Sequence, residues 1–463
     1  MSKGQLAASS KTFGSLHFDS LPSEWKIYPL GSLGEIVTGK TPSTSQQSYF
    51  GGDIPFVSPT DIGEQRYISQ TQSTLTAKGA EQVRLLPANT LLITCIGILG
   101  KVGQAATSLA TNQQINGILP SDRLYHAYGF WAAHLLKPQL DIIAGLQVVP
   151  IVNKTLFSKL LFPCPPFSEQ HLIADILDTL DTQIQQTERL IAKLKRIKIG
   201  LLHDLLTKGI DEHGDVRDPM VHPEEFKEGY FLQKRIKLPQ KWEIRPLKSF
   251  LVGIDAGKSP DCPDQPAGAG DWGILKVSAI HPTGFRAEEN KVIINPAYIN
   301  PAYEVHDGDL LISRANTSEL VGIVCLVSKP RPQLLLCDKT LRLQVNTKNA
   351  LSKFIFYMLQ MPFVRAQIEI HATGSSASMK NISQNSIKNL AILAPSKEEQ
   401  KEIISILNAH DARITAEETE LAKLKQLKKG LMHDLLTGHV RVTQLMAESE
   451  QLAVCSKSVS DCK

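Results

Sequence analysis

The 463-residue chain has few cysteines, and their placement argues against two common kinds of small-protein scaffold. The seven cysteines are scattered along the sequence and include no CxxC pair. This spacing disfavours a structural zinc site and a disulfide framework, and it is typical of a reducing compartment. We therefore expect no metal bound by cysteine pairs and no disulfide scaffold.

Long apolar segments are also lacking. The longest apolar run, TLLITCIGILG from Thr90, is well short of the roughly 20 residues that cross a bilayer. The polar N-terminus, MSKGQLAASSKTFG, has no apolar segment of the signal-peptide type. We therefore expect a cytoplasmic protein that does not contact the membrane.

Charge of one sign is not abundant either. Charged residues make up 21% of the chain and the net charge is +4, which permits a polyanionic partner without requiring one. The length exceeds what one compact core usually holds and predicts two to four domains.

The main positive feature is an internal repeat. The segment SEQHLIADILDTLDTQIQQTERLIAKLKRIKIGLLHDLLT (168–207) matches EEQKEIISILNAHDARITAEETELAKLKQLKKGLMHDLLT (398–437) without a gap. Glu169 and Glu399, like Gly200 and Gly430, lie 230 residues apart. The sequence before each segment also repeats: LPSEWKIYPL with LPQKWEIRPL, GKTP with GKSP, and LLIT with LLIS. A period this long indicates duplication of a whole domain.

The repeat divides the chain into seven parts. We predict an N-terminal arm (1–20), a first domain (21–165), a first long helix (166–208), a linker (209–237), a second domain (238–395), a second long helix (396–438) and a C-terminal tail (439–463). The linker is polar, rich in turn residues and without a repeat partner, so we expect it to pack loosely on the surface. The tail after Val440 also has no counterpart, and we expect it to be poorly ordered.

The two long segments show the 3.5-residue apolar period of a coiled coil. The predicted seam consists of Ile173, Leu177, Leu180, Ile184, Ile191, Leu194, Leu201, Leu205, Ile403, Leu407, Ile414, Leu421, Leu424, Leu431 and Leu435. Polar residues interrupt it at equivalent places, including Lys198 and Lys428. Antiparallel pairing would hold the two domains apart, whereas parallel pairing would leave no spacer. The alternative is that each helix packs only on its own domain.

The predicted fold class is therefore α+β, with two duplicated α/β domains separated by two long helices that form a pseudo-two-fold antiparallel coiled coil. Neighbouring apolar positions widen the seam and indicate a surface for another protein. Gly200 and Gly430 lie within the helices, where glycine is unfavourable by about 1 kcal/mol. We expect them to mark a close approach or a bend.

Several motifs suggest chemistry but lack the context that the chemistry needs. GEIVTGKT (34–41) matches a phosphate-binding loop, yet Pro42 and a polar, non-helical segment follow it where a helix is required. GAGDWG (268–273) follows a proline-rich stretch instead of a strand. CPPF (164–167) resembles the NPPF type of amino-methyltransferases, but its repeat partner reads APSK and both precede a long helix. His203–Asp204 and His433–Asp434 lie in helical repeats without a nucleophile, and we interpret them as surface or interface residues. We expect no catalytic residue and no metal site.

Taken together, these segments resemble the specificity subunit of Type I restriction–modification enzymes. The resemblance rests on the duplicated LPxxWxxxPL start, the GKTPS and GGDIPFVSPTDI segments, NQQIN at 112–116, and the PPFSEQ entry into a helix that ends in HDLLT. It implies two target recognition domains, each recognising one half of a split site on double-stranded DNA. It also implies two methyltransferase subunits and two restriction–translocase subunits as partners. S-adenosylmethionine, ATP and Mg²⁺ would bind to those partners, and no cofactor would bind to this non-catalytic chain.

Candidate DNA-binding residues follow from the polar turns of each domain, because base recognition needs side chains that reach base edges. They are Lys40, Thr41, Ser43, Thr44, Asn112, Gln113 and Gln114 in the first domain, and Lys258, Arg286, Arg314, Asn316, Thr317 and Lys339 in the second. An equally weighted alternative is that the shared GK turns define the fold and carry solvated lysines. Arg314 and Asn316, absent from the first copy, are the better candidates for sequence specificity. Two other classes stay open: a scaffold that binds only proteins, and a nucleotide hydrolase.

Overall fold

The computed structural model describes residues 12–13, 16–17, 21–63, 65–145, 148–231, 234–376 and 379–443. It divides into two compact units, of which unit 1 holds residues 1–189 and 419–463 and unit 2 holds residues 190–418. Each unit thus combines one copy of the repeated domain with part of both long helices. None of the helices in the described ranges combines the length and the apolar character needed to cross a bilayer.

Unit 1 begins with short strands and ends its domain at the first long helix. Its strands are β1 (Thr12–Phe13), β2 (Leu16–His17), β3 (Lys26–Pro29), β4 (Gly34–Thr38), β5 (Phe50–Val57), β6 (Tyr67–Ile68), β7 (Ser73–Leu75), β8 (Leu91–Thr94), β9 (Val102–Ala105), β10 (Ala110–Thr111), β11 (Ile115–Pro120) and β12 (Leu161–Cys164). Its short helices are α1 (Ala77–Ala80), α2 (His126–Ala133), α3 (Lys137–Ala144) and α4 (Lys154–Phe157). The long helix α5 (Phe167–Thr207) starts here.

Unit 2 has the same plan with a different set of loops. Its strands are β13 (Phe226–Phe231), β14 (Lys234–Pro239), β15 (Glu243–Pro246), β16 (Leu251–Ala256), β17 (Gly273–Leu275), β18 (Ile280–His281), β19 (Gly284–Phe285), β20 (Asn290–Val292), β21 (Leu310–Ser313), β22 (Ala315–Asn316), β23 (Val324–Leu326), β24 (Leu334–Leu335), β25 (Thr340–Val345), β26 (Thr373–Ser376), β27 (Met379–Asn381) and β28 (Ala391–Ala394). Its helices are α6 (Ser352–Leu359), α7 (Pro362–His371), α8 (Gln384–Lys388) and the start of the long helix α9 (Lys397–Leu436).

The sheets of the two domains have matching strand orders. The order β4-β11-β8-β9 in unit 1 corresponds to β16-β25-β21-β23 in unit 2, and β10-β5-β7 corresponds to β24-β17-β20. The antiparallel pair β3–β12 corresponds to β15–β28. Strands β8 and β21, the LLIT and LLIS segments, are buried along their whole length, which explains why they are continuous apolar runs instead of alternating ones. The sequence repeat is therefore a repeat of fold.

Each long helix has a defined start and stop. The Pro166 carbonyl accepts the Glu169 N–H at the start of α5, and the Ser396 hydroxyl accepts the Glu399 N–H at the start of α9. Beyond the far ends lie Gly209 and Gly438 with φ of +68° and +75°, the left-handed conformation that ends helices at little cost only for glycine.

Within each unit, the parts of α5 and α9 that it contains run antiparallel. In unit 1, Lys428 pairs with Asp181 and Lys425 with Glu188, so the residue numbers fall on one helix as they rise on the other. In unit 2, Lys195 and Lys198 of α5 pair with Glu418 and Asp411 of α9 in the same sense. The predicted fold class, with duplicated domains and antiparallel long helices, is confirmed.

The predicted seam residues are enclosed by the helices and the domain cores. Buried members are Ile173, Leu177, Leu180, Ile184, Ile191, Leu194, Leu205, Ile403, Leu407, Ile414 and Leu435; Leu201, Leu421, Leu424 and Leu431 are half-buried. The ends of the helices also belong to domain cores: Ile173 and Leu435 pack in the core of unit 1, and Leu205 and Ile403 in that of unit 2. The helices therefore pair with each other and pack on the domains as well.

Gly200 and Gly430 do not mark a close approach, which corrects one of the two roles expected for them. A methyl group built on either residue meets nothing within 4 Å, and both helices continue through these positions. The glycines are exposed, so no packing contact in the structure explains them.

The linker 209–237 does not pack loosely, contrary to expectation. Ile210, Phe226 and Phe231 are buried, and β13 pairs with β14 in a hairpin that leads directly into the second domain. The sequence pattern did not predict this burial, because turn residues surround these apolar residues and they do not alternate strictly as in a strand.

The start of the tail is also ordered, because Arg441 and Val442 belong to unit 1. Val442 is 2% exposed and packs in the core of that unit. Arg441 pairs with the buried carboxylate of Glu169, which also accepts the indole N–H of Trp25 at 3.4 Å. Residues 444–463 lie outside the described residues.

Unit 2 contains the same trio of a buried tryptophan, a buried glutamate and a half-buried arginine, built from equivalent residues. Arg217, from the supposed linker, pairs with Glu399 at 2.6 Å, and Glu399 accepts the indole N–H of Trp242 at 2.8 Å. The segments that follow the two long helices, GDVR and GHVR, thus do have counterparts, which the unequal spacing before them concealed.

Candidate nucleic-acid interface

The GK turns are fixed by close approach of two backbone segments. In unit 1 the Gly39 N–H donates to the Ile115 carbonyl and the Lys40 N–H donates to the Thr111 carbonyl. A Cβ on Gly39 would lie 2.1 Å from the Asn112 carbonyl oxygen, and one on Gly257 would lie 1.7 Å from that of Leu336. The glycine of the motif is therefore demanded by the fold in both domains.

The residue after the lysine ties this turn to a second loop. The Thr41 hydroxyl donates to the Gln113 side-chain carbonyl at 2.6 Å, and in unit 2 the Ser259 hydroxyl donates to Asp338. These pairs occupy equivalent places, because Thr38 opposes Asn116 where Ala256 opposes Leu341 in the matching strand pairs. The structure thus brings together the two loops that the sequence proposed separately.

Within the second loop, some of the side-chain amide groups already form hydrogen bonds with each other, and only the remaining ones are free to contact a base. The Asn112 side chain accepts the Gln114 N–H and donates to the Gln114 side-chain carbonyl, both at 3.0 Å. This is a local turn of the kind that asparagine favours. Gln113 is exposed, while Asn112 and Gln114 are half-buried.

Unit 2 carries different side chains at the equivalent positions. The Cys95 N–H donates to the Gln114 carbonyl, and the Arg314 N–H donates to the Lys339 carbonyl, both at 2.8 Å. Arg314 therefore takes the place of Cys95, and Lys339 that of Gln114. Burial raises the pKa of the Cys95 thiol to about 12, so this position is apolar and neutral in the first domain and cationic in the second.

The remaining candidates are spread around these loops. Lys40, Ser43, Thr44 and Lys258 are exposed, and Ser43 shares a hydrogen bond with Ser45. Asn316 lies in β22 opposite Lys380 of β27, with Thr317 exposed beside it. Arg286 follows the hairpin β18–β19, and its described contacts do not join it to the two loops.

One polar cavity was missed by sequence reasoning. It has a volume of about 450 Å³ and is lined by residues that include Asp61, Gln65, Tyr67, Gln70 and Lys101. Tyr67 is exposed and lies over the guanidinium of Arg66 at 4.7 Å, and Arg66 is itself paired with Asp178 of α5. Nothing in the spacing of these residues signals that they converge.

The motifs that suggested enzymatic chemistry do not have the geometry for it. Residues 34–38 form β4 instead of a phosphate-binding loop, and Gly273 begins β17 instead of following a strand. Cys164 and Ala394 each end a buried strand just before a long helix. His203 is exposed, and Asp204 pairs with Lys208 at 2.9 Å.

Comparison with known proteins agrees with this architecture. The family model of the Type I restriction modification DNA specificity domain matches twice, over residues 22–196 and 239–426. The EcoEI specificity subunit of Escherichia coli is 34% identical over 176 residues, which are 38% of this chain and 30% of that protein. The MjaIX specificity subunit of Methanocaldococcus jannaschii is 24% identical over 92% of this chain and 95% of that protein.

A solved structure shows a related fold. The S subunit of the Type I restriction–modification system from M. genitalium superposes with a TM-score of 0.52 at 13% identity, covering 90% of this chain and 97% of the other.

Proposed function

Because the chain belongs to the Type I restriction modification DNA specificity family, we propose that it recognises a bipartite sequence on double-stranded DNA and directs partner subunits to it. The chain is a non-catalytic specificity subunit, distinct from the methyltransferase and restriction subunits of such a system.

One observation carries the proposal: each domain presents the same pair of tied loops, with the side chains changed at equivalent positions. The shared part, Gly39 with Thr41–Gln113 and Gly257 with Ser259–Asp338, holds the loops in place. The variable part carries Gln114 in one domain and Lys339 in the other. A constant frame with variable side chains is what recognition of two different half-sites requires.

We assign roles to the candidate residues from their chemistry. Lys40 and Lys258 are exposed cations on the shared turns and suit phosphate contacts, which position a protein without reading sequence. Gln113 and Gln114 suit adenine, and Arg314 and Lys339 suit guanine. Asn316 and Thr317 extend the second set, while Ser43 and Thr44 extend the first.

The paired helices supply the spacer in this proposal. Antiparallel pairing in each unit places the start of one helix beside the end of the other, as the ion pair of Lys428 with Asp181 illustrates. A spacer of fixed length fixes the number of unrecognised base pairs between half-sites, as dimer geometry does elsewhere.

Partners supply the chemistry that this chain lacks. We infer two methyltransferase and two restriction–translocase subunits, with S-adenosylmethionine, ATP and Mg²⁺ bound to them. Cytoplasmic location follows from the same role, since the DNA and the partners are there.

The decisive experiment is co-expression of this chain with a Type I methyltransferase subunit from the same organism, followed by mapping of adenine methylation across the host genome. A split motif with one constant gap is expected. Methylation without a shared split motif, in cells where both subunits are present and associated, would contradict the proposal.

Two alternatives predict different results. A scaffold that binds only proteins would give no salt-sensitive, site-dependent binding to DNA in the presence of the methyltransferase. A nucleotide hydrolase would lose ATP binding in Lys40→Ala, whereas we expect no dependence of nucleotide binding on Lys40.

A further inference from the structure

Three side chains of the types that ligate metal ions lie close together at the end of α9 and just beyond it. The ligand atoms of His433, Asp434 and His439 all lie within 4.8 Å of one another. The two imidazole rings are 5.2 Å apart between centres and inclined by 31°. Both histidines are exposed and the aspartate is half-buried. Imidazole nitrogen and carboxylate oxygen are the donors that Zn²⁺ and its neighbouring divalent transition metals accept.

The hydrogen bonding of His439 prepares it as a ligand. The Thr437 hydroxyl donates its only hydrogen to the His433 carbonyl at 2.5 Å. The same hydroxyl oxygen lies 2.8 Å from Nδ1 of His439. Because the hydroxyl hydrogen is already donated, this oxygen must accept a hydrogen bond from the Nδ1–H. The neutral ring then carries its lone pair on Nε2, and the ring orientation is held by a hydrogen bond of the type that supports ligating histidines.

The first repeat lacks this arrangement although it shares the His–Asp pair. There, Lys208 follows the equivalent threonine and pairs with Asp204 at 2.9 Å, and the next residue is Gly209. In the second repeat Gly438 and His439 stand at those two positions. The change removes the cation that neutralises the carboxylate and adds an imidazole in its neighbourhood.

We propose that this turn binds one divalent transition-metal ion through His433, Asp434 and Nε2 of His439, with a further position open to water. Tetrahedral ligands at 2.0–2.1 Å from zinc lie about 3.4 Å from each other. The ligand atoms must therefore approach by up to about 1.4 Å, which His433 and Asp434 achieve by rotation about their side-chain bonds while Thr437 holds the ring of His439.

A bound ion would hold the segment that follows α9. The Val440 N–H donates to the Asp434 carbonyl, and the next two residues are Arg441, paired with Glu169, and Val442, buried in the core of unit 1. A ligand on the intervening turn stabilises this docking through binding linkage, because the site exists only when the turn is folded.

The test uses the full-length, tag-free chain in a background where Cys455 and Cys462 are serine, so that tail thiols do not take up metal. Zn²⁺ is titrated in competition with a chromophoric chelator, and the d–d absorption of Co²⁺ reports nitrogen and oxygen ligands in tetrahedral geometry. The variants are His433→Gln and His439→Gln. The matched control is His203→Gln. His203 is the repeat partner of His433 in α5, and no histidine equivalent to His439 lies beside it.

One equivalent of Zn²⁺ is expected to bind the parent, with affinity at least tenfold lower in each of the two variants and unchanged in the control. The Zn²⁺-induced rise in Tm should disappear in the same two variants, while their circular dichroism matches the parent. Absence of stoichiometric binding in the parent overturns the proposal. So does binding that survives both substitutions, or that falls equally in the control.

Discussion

Lys428 of α9 forms an ion pair with Asp181 of α5, and its ammonium lies 4.7 Å from the centre of the Trp131 ring. Its repeat partner Lys198 pairs in the same way with Asp411. These lysines are two of the polar interruptions of the apolar seam. A charge inside a seam is satisfied in only one register and one direction, so such residues specify how the helices align.

Removing the cation is therefore expected to destabilise unit 1. The two side chains of the pair are 24% and 19% exposed, and an uncompensated, largely buried carboxylate is costly. We expect Lys428→Met to lower the free energy of unfolding by about 2 kcal/mol, measured by urea denaturation. The double variant Asp181→Asn/Lys428→Met should lose less than Lys428→Met alone.

A neighbouring pair provides the control. Lys425 and Glu188 are 54% and 46% exposed, and Lys425→Ala should change stability by no more than about 0.5 kcal/mol. Equal losses in the free energy of unfolding from Lys425→Ala and Lys428→Met would show that burial does not make the seam pair more important for stability than an exposed pair.

The buried trio of Trp25, Glu169 and Arg441 predicts a sharp limit for truncation. A chain that ends at Thr443 keeps all three residues of the trio and is the reference for this test. One that ends at Val440 leaves Glu169, whose side chain is 3% exposed, without its guanidinium. We expect a loss of about 3 kcal/mol for Arg441→Met, and a larger loss for the chain that ends at Val440, because it also lacks the buried side chain of Val442.

The second repeat offers a comparison for this effect. Arg217→Met should destabilise unit 2 by a similar amount, because Arg217 pairs with Glu399, which is 9% exposed. Thermal unfolding followed by calorimetry measures both variants. An Arg441→Met chain as stable as the parent would show that the ion pair does not hold the tail in place.

The spacer proposal predicts a change of gap without a change of half-sites. A heptad inserted into residues 183–195 of α5 and another into the equivalent residues 413–425 of α9 preserve the apolar period. Seven residues add about 10.5 Å, or about three base pairs at 3.4 Å each. Methylation mapping should show both half-sites unchanged with a longer gap, whereas altered half-sites would reject the spacer role.

The repeat made most of the architecture predictable. Two copies of one pattern, each ending in a long helix with a 3.5-residue apolar period, indicated duplicated domains and paired helices before any coordinates. The expectation that the helices are antiparallel rested on the argument that such pairing would separate the domains. The ion pairs Lys195–Glu418 and Lys425–Glu188 show the antiparallel direction within each unit.

What the sequence did not reveal depends on contacts between distant residues. Ile210 and Phe226 lie among turn residues, and only the structure shows that Ile210 enters the core of unit 2 and that Phe226 is buried. Arg217 and Arg441 occupy equivalent sites at unequal distances from their helices, so an alignment with a constant offset separates them. The tie between Thr41 and Gln113 spans 72 residues, and no local pattern encodes it.

His134 is exposed on one side and packs against the rings of Phe130 and Trp131 on the other, which predicts a small pH-dependent contribution to stability. Desolvation lowers the pKa of this imidazole below its usual value, although its Nδ1 lies 3.1 Å from the Phe130 carbonyl. As pH falls below about 6.5, the unfolded chain therefore binds a proton that the folded chain resists. Stability is lost in that range, but by much less than the roughly 1.4 kcal/mol per pH unit that a fully buried group would give, because solvent screens the exposed side of the ring.

The measurement is the unfolding free energy at pH 7.5, 6.5 and 5.5 for the parent and for His134→Gln. The variant should lose less stability than the parent between the two lower values. His126, whose pKa burial also lowers, is present in both chains and cancels in the comparison. Parallel pH profiles would mean that His134 takes up a proton as readily in the folded chain as in the unfolded chain.

The two tied loops predict that some substitutions change specificity and others only affinity. Arg314→Ala and Lys339→Ala should alter the methylated sequence in one half-site and leave the other unchanged, since both residues lie in the second domain. A lost base contact is worth about 1–3 kcal/mol of discrimination. Lys40→Ala should instead weaken binding to all sequences and reduce the salt dependence by about one counterion.

Gly257→Ala is the control for a folding defect in the second domain, because its Cβ would clash with the Leu336 carbonyl and displace the whole turn. If Arg314→Ala weakens binding without changing the motif, Arg314 contacts phosphate, and specificity in the second domain must come from neighbours such as Asn316.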